Sequence, residues 1–519
     1  MKRILYYILA ITLLCSVASA TLRNAQKFEF FNNAGGLNDK LSPIIIKDEE
    51  ASDLQNVEFT VGGAIKKRNG YSSDNAAFVG QITGIYHYVQ NDGTDFLIET
   101  GDTSIFNAPA INGFPKDITG ALTITSNSSA LFDFTTANNN LIATNKTDQV
   151  ITWNGTGNAT DLTAAPQGRY IEFHQNIVFI ANCSTDTTGA ADEEPSRLYF
   201  SNVLDETTWT STDFIDIAKD DGTEITGLVV LLDTLYIFKD NSIFRLSGTN
   251  RDDFTLARMV TAIGCVSGHS IQVINNKIIF NSQDGIYIYD GGINVTKIST
   301  RIEDTLDGID TSRFEQFTSA NFQRKNQYWL GTTSSAASTN DLILVYDYFN
   351  DAWTKYVGIE ANAMAIVRDS TGKEQLYTGE FDRGAIFLQN VGDNDDGIAI
   401  NGFYQTKWFR FPTLKSSELI LRLIRVFAEE EGNWDLTIEA KQDFATTSTS
   451  NTMTLTGSGG VWGTAVWGTD VWGGEGVIVG RFPLTLRENF FQLKFENKNA
   501  DEPFKIFGYQ FFVEPTDRI

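Results

Sequence analysis

His87, His174 and His269 are the three imidazoles of this chain. Imidazole trades protons readily near neutral pH, so an acid–base enzyme would need carboxylates or a nucleophile gathered around one of them. No partner recurs beside them. His174 lies in YIEFHQNIVF, where it fits a structural place at a strand end. The stretch GDNDDG, Gly392 to Gly397, offers carboxylates suited to calcium. An EF-hand loop needs Gly at its sixth place and Glu at its twelfth. Counted from Asp393, those places hold Ile398 and Tyr404. The stretch reads as a linker, with a weak cation site as the lesser alternative. No phosphate-cradling or dinucleotide fingerprint is present. The residues therefore nominate no catalytic group, no metal ligands and no cofactor, and the expected class is not an enzyme.

Two further clusters concern contact rather than catalysis. VWGTAVWGTDVWGG places Trp462, Trp467 and Trp472 at steps of five. Five matches neither the helix period of 3.6 nor the strand period of 2. Exposed indoles are an aggregation hazard on a free monomer, and Trp is favoured where a partner covers a surface. The three are therefore interface candidates, covered by the chain's own domains or by a neighbouring subunit. Lys66, Lys67 and Arg68 form a basic run on an otherwise acidic chain. They read either as a solvated strand edge that resists edge pairing or as a contact with an acidic neighbour or passing DNA. Ser282-Gln283-Asp284-Gly285 approaches a sialidase-type Asp box, but the glycine falls one place early and no Trp follows; a hairpin turn fits it better.

The elements that must position these residues are strands. From residue 75 onward, short apolar runs alternate with turn residues every 8 to 12 positions, the mark of all-β structure. Four segments read as strand, polar turn, strand: Thr94 to Asn107, Asn138 to Gly155, Leu235 to Gly248 and Lys277 to Gly291. Their expected turns are Gly101-Asp102-Thr103, Lys146-Thr147-Asp148, Lys239-Asp240-Asn241 and Gln283-Asp284-Gly285. The hairpins return about every 40 to 50 residues, a period that in all-β sequence means propeller blades. Segments near 75–120, 121–165, 168–217, 223–263, 266–312, 314–357 and 361–392 predict a divergent β-propeller of six or seven blades. Beyond residue 400 the strands lengthen. Apolar and polar residues alternate from Phe491 to Glu496, as in a sandwich with one buried face. The expected division is a leader over 1–20, an extended segment and propeller closure over 21–74, the propeller over 75–392, a linker over 393–399 and a C-terminal β-sandwich over 400–519 that carries the Trp stretch.

The formal charge is −25. Such a surface repels phosphates, which excludes tight nucleic-acid binding but suits solubility or a conduit through which DNA slides. The start, MKRILYYILAITLLCSVASA, has a basic pair, an apolar run and a small-residue cleavage pattern. That is a signal-peptide signature, too short for a stable membrane span. Cys183 and Cys265 remain after cleavage; both sit in apolar surroundings and read as buried free thiols, with a pairing between them left open.

The segment from Phe30 to Tyr71 carries a Gly-Gly-Leu-Asn turn at Gly35 to Asn38, Ser42-Pro43, Asp53 to Val57, Gly62-Gly63, the basic run and Gly70-Tyr71. It resembles the opening of tailed-phage virion propeller proteins, including tail nozzle and packaged-DNA-stabilisation (tail hub) proteins. Ser196 to Ile217, Gly264 to Gly291 and Asp341 to Tyr356 resemble further blades of that family, and Trp-Gly repeats also occur in such proteins. The resemblance implies a structural virion protein of a tail or head–tail junction. Its partners would be its own subunits in a ring, with a hexamer as the candidate size, and portal, adaptor or other tail proteins. DNA would pass it transiently, without sequence-specific binding. The leader departs from this pattern, since virion proteins normally lack an export signal. The alternative expectation is an exported, extracellular propeller that binds or processes glycans, with the three Trp rings as sugar platforms.

Overall fold

The computed structural model describes residues 25–516, apart from 75–79, 109–114, 126–129, 382–383, 412–413, 415–417 and 457–475. The chain forms two units. One comprises Gly70–Tyr348 and Lys355–Asp396; the other comprises the residues up to Asn69, Phe349–Thr354 and those from Gly397 onward.

The first unit is a seven-bladed propeller. Seven four-stranded antiparallel sheets follow one another along the chain. Their innermost strands are Ile82–Val89, Asp133–Ala137, Gly168–His174, Ile225–Leu231, Gln272–Ile274, Thr318–Phe322 and Ala363–Arg368. These strands, with the short turn Gly268–Ser270 before the fifth, contact one another in succession, and the seventh returns to the first. Among the described residues, blade 7 draws three strands from its own segment. Its fourth is Tyr71–Ser73, which pairs with Ile386–Gln389. The ring is thus clasped by the stretch of chain that precedes blade 1.

The local chemistry explains the meander. Blades 2, 3 and 5 turn from their first to their second strand through Asn138-Asn139, Gln175-Asn176 and Asn275-Asn276, all with positive φ between 47° and 71°. Two-residue hairpin loops demand two positive φ angles, and Asn tolerates that region better than most side chains. Both faces of a blade pack on neighbours. Tyr88 and Ile98 of blade 1 join Leu141 and Trp153 of blade 2 in one cluster. Ile142 on the other face of blade 2 joins Ile171 and Val178 of blade 3 in the next. A strand such as Ile177–Thr185 is consequently buried along almost all its length, and its sequence is a near-continuous apolar run rather than an alternation.

Among the described residues, the second unit is a β-sandwich of two six-stranded sheets. One holds Val477–Glu488, Leu419–Glu429, Lys505–Pro515, Ile65–Lys67 and Val57–Phe59, with Gln26–Phe30 also paired to Lys505–Pro515. The other runs Gly36–Leu37, Glu50–Gln55, Gly402–Thr406, Phe491–Asn497, Asp435–Gln442, Thr449–Thr454. Their inner faces meet through Tyr509 against Phe495 at 5.5 Å and Tyr404 against Phe59 at 6.4 Å. This corrects the expected extended segment over 21–74: the strands from Gln26 to Lys67 are sandwich strands, and Tyr71–Ser73 supply the closure. The physical reason is range. Gln26 pairs with Val513 and Leu54 with Tyr404, and no local hairpin signal marks such partners. The expected linker is also folded: Gly70 N–H donates to the Gly392 carbonyl at 3.0 Å and Asp396 N–H to the Tyr71 carbonyl at 2.9 Å. Among the described residues, no helix is long and apolar enough to cross a membrane.

Candidate functional site

The seven inner strands surround a cavity of about 290 Å³ on the propeller axis. Tyr86 and Met364 line it from blades 1 and 7, Asp133 and Glu172 from blades 2 and 3, Val229 from blade 4, and His269 and Ser319 from blades 5 and 6. Asp133 and Glu172 are acids set among aromatic and aliphatic neighbours, in LFDF and YIEF. The Asp133 carboxylate accepts the Ile171 N–H at 2.9 Å through Oδ2 and the Phe134 N–H at 3.1 Å through Oδ1. Glu172 Oε1 accepts its neighbour's N–H, from Phe173, at 3.1 Å. Burial pushes Asp133 up to about 7, against the pull of those two N–H groups. Burial likewise pushes Glu172 up to about 8, and the nearby Asp133 charge adds to it. Tyr86 stacks on Phe134 at 5.4 Å, and its hydroxyl meets Thr136 Oγ1 at 3.0 Å.

Further along the axis His269 sits against Tyr170, with ring centres 6.1 Å apart. Burial, aided by the Arg169 charge, lowers His269 to about 4, so it is neutral at pH 7. Arg169 at the start of the blade 3 inner strand reaches Glu315, just before that of blade 6, at 2.8 Å. This ion pair joins two non-adjacent blades on the side where the inner strands begin, and the guanidinium holds Glu315 below the usual carboxylate range. The channel is therefore a largely polar space lined by all seven blades. With the Arg169–Glu315 pair bridging two non-adjacent blades, it offers no open path for a DNA duplex.

The other sequence candidates lie elsewhere. His87 pairs with Asp95 at 3.1 Å, and His174 is buried at the end of its strand, lowered by burial. The three histidines do not converge. Ser282 and Gly285 face each other across a hairpin turn. Lys67 and Arg68 correct the expectation of a basic contact surface: they are 1% and 2% exposed. Lys67 Nζ donates to Asn497 Oδ1, the Asn499 carbonyl and the Glu502 carbonyl at 2.9–3.2 Å. Arg68 Nε donates to Asn56 Oδ1 at 2.9 Å. Both are consumed inside the sandwich, because a buried cation must be paired with oxygens. Lys66 keeps some exposure and pairs with Glu58 at 3.5 Å. Trp462, Trp467 and Trp472 lie outside the described residues. Among the described residues, no group of three or more His, Cys, Asp or Glu side chains is gathered to hold a metal ion. Asp133 and Glu172 escaped the sequence reading; the available signal was a lone acid flanked by aromatics in a strand otherwise fit for burial.

Cys183 and Cys265 are free and buried, in different interblade clusters. Burial pushes Cys265 up to about 12 and Cys183 higher still. Thiolate is the reactive form, so neither thiol is expected to take up iodoacetamide in the native protein. Modification should appear only as the chain unfolds, which mass spectrometry across a urea series will read.

No family model and no curated relative matches the chain. Solved structures do. An exo-β-1,3-galactanase from Phanerochaete chrysosporium is similar at 9% identity and a TM-score of 0.26, over 85% of this chain and 100% of that one. The extracellular domain of the putative one-component system BT4673 from B. thetaiotaomicron shares 8% identity at a TM-score of 0.41, over 85% and 61%. The gluconolactonase XC5397 from Xanthomonas campestris shares 10% at a TM-score of 0.32, over 66% and 98%. The all-β propeller and sandwich architecture is the conclusion that the fold itself carries.

Proposed function

We propose that this chain is a structural virion protein of a phage tail or head–tail junction, one subunit of a homo-oligomeric ring that helps retain packaged DNA and pass it at infection. The observation that carries the reading is how the residues of the tail-protein resemblance are used. Gly35 is tight against Glu49, whose carbonyl oxygen would lie 2.7 Å from an added Cβ. Asn38 donates to Glu50 at 2.9 Å in a buried pair. Lys67 and Arg68 anchor the sandwich interior, and Gly70-Tyr71 begin the propeller clasp. A motif spent wholly on architecture suits a scaffold better than a reactor.

The charge of −25 supports a surface past which DNA moves without sticking. With Arg169 and Glu315 paired between blades 3 and 6 of the propeller channel, the proposed DNA path is the lumen between subunits. Portal, adaptor or other tail proteins are the expected neighbours above and below.

The purified chain is expected to form rings of defined mass by light scattering and negative-stain microscopy. A species that stays monomeric at high concentration, and binds no portal or adaptor protein, overturns the reading. A second reading, an exported glycan-binding or glycan-processing propeller, draws on the paired carboxyl groups of the channel. A glycan array and a hydrolysis screen with the full chain test it, and silence in both retires it.

A further inference from the structure

The Asp133–Glu172 pair occupies the seam between blades 2 and 3. Asp133 belongs to the inner strand of blade 2, and the N–H it accepts, that of Ile171, belongs to the inner strand of blade 3. An innermost strand has no neighbour on its axial side, so its outward N–H groups need another acceptor. Neutral side chains also tie this seam, where Thr144 donates to the Gly168 carbonyl and Ser184 to the Lys146 carbonyl, and they supply the ties at the other six. The Tyr86 hydroxyl meets Thr136 between blades 1 and 2. Asn182 donates to the Ile225 carbonyl and Thr226 to the Cys265 carbonyl, between blades 3, 4 and 5. Ser319 donates to the His269 carbonyl between blades 5 and 6. Asn340 donates to the Ala361 carbonyl between blades 6 and 7, and Asn362 to the Ile82 carbonyl between blades 7 and 1.

We propose that the seam between blades 2 and 3 is a proton-loaded latch, closed while at least one of Asp133 and Glu172 is protonated and loosened when both carry charge. Two like charges lining one cavity repel one another, and their partial burial limits the water that can solvate them. The groups around the pair offer no relief. Tyr86 faces it from blade 1 and is an acid itself, also raised by burial. The blade 4 wall is Leu228 and Val229. His269, across the channel, is neutral, and Arg169 is engaged with Glu315. The sign follows from linkage. Both acids are raised in the folded state, so the stability they contribute is complete below their unfolded values, near 4, and is lost as pH rises through about 7 and about 8. This inference concerns the single subunit and holds whatever assembly it joins.

The test compares wild type with Glu172→Gln and Asp133→Asn, each of which keeps an oxygen acceptor. The wild-type thermal midpoint is expected to fall steadily from about pH 5 to about pH 9, and that of each variant to fall markedly less. Hydrogen exchange, corrected for its intrinsic pH dependence, should show protection lost first on Asp133–Ala137 and Gly168–His174, with Thr318–Phe322 unchanged. Parallel midpoint profiles, or a loss spread evenly over all seven inner strands, overturn the proposal. If neither variant folds, infrared difference spectra of the wild type decide. A protonated-carboxyl band present at about pH 6 and gone by about pH 9 supports the latch, and its absence at the lower pH overturns it.

Discussion

Replacing Lys239 with methionine is expected to destabilise the propeller by about 3–5 kcal/mol. The ammonium is fully buried and 2.7 Å from Asp221. It also donates to the Ile217 carbonyl at 2.9 Å, Ser196 Oγ at 3.2 Å and the Ala218 carbonyl at 3.3 Å. One side chain from blade 4 thus gathers oxygens from the end of blade 3 and the loop after it. Methionine fills similar space but leaves those acceptors without their donor, and unmet buried polar groups cost more than the bonds ordinarily contribute. Asp221 reports the same arrangement. Burial would raise it, but hydrogen bonds from Lys239 and Thr223 win and hold it below its ordinary value. The stability that this carboxylate contributes is present above its unfolded value and is lost as pH falls, the opposite sense to Asp133 and Glu172. Denaturant midpoints of wild type and variant will measure the loss. Lys277→Met, at an exposed strand end, is the control and should change stability by no more than about 0.5 kcal/mol. A loss for Lys239→Met as small as the control's would mean that the oxygens find water instead.

The second large effect is expected at Gly70. An added Cβ would lie 1.7 Å from the Asn394 carbonyl oxygen and 2.4 Å from its carbon, both backbone atoms. No rotamer change relieves that overlap. Gly70 also exchanges backbone bonds with the returning chain, donating to Gly392 and accepting from Val391. Gly70→Ala must therefore push apart the two segments that clasp blade 7, at a cost of at least about 3 kcal/mol. Thermal unfolding will show the loss, and limited proteolysis should cut near residues 70 and 392 in the variant while sparing the wild type. Gly62→Ala provides the contrast. Its nearest outside atom is Thr60 Oγ1 at 3.9 Å, and stability should move by no more than about 0.5 kcal/mol.

The propeller was legible in the sequence because its information is local. Each blade announces itself by hairpins such as Lys277 to Gly291, where the turn residues and the strands they join are neighbours in the chain. The sandwich was legible only from its long C-terminal strands. Gln26–Phe30 and Glu50–Gln55 escaped because they have partners hundreds of residues away, while Gly36–Leu37 and the local hairpin of Val57–Phe59 with Ile65–Lys67 are too short to show a period. Lys239 misled in a different way. In sequence it begins a polar turn; in the fold its stem runs back into the blade, and only the tertiary set of oxygens explains a lysine there. The same is true of Lys67 and Arg68, whose basic run suggested a surface. The channel acids stayed hidden for the converse reason: the ring brings Asp133 and Glu172 together, and neither has a recognisable partner nearby in the chain.

The pairing of early strands with late ones has a consequence for biosynthesis. While the ribosome works, Tyr71–Ser73 must wait until Ile386–Gln389 emerge, and Gln26–Phe30 until Lys505–Pro515 do. For most of translation the nascent chain therefore carries open sheet edges, the surfaces most prone to adventitious pairing. Blades 1 to 6 can form in order as they leave the tunnel, but neither unit can be finished until its last strand is made. A premature stop even a few residues before 505 would leave Gln26–Phe30, the earliest of the described strands, permanently widowed.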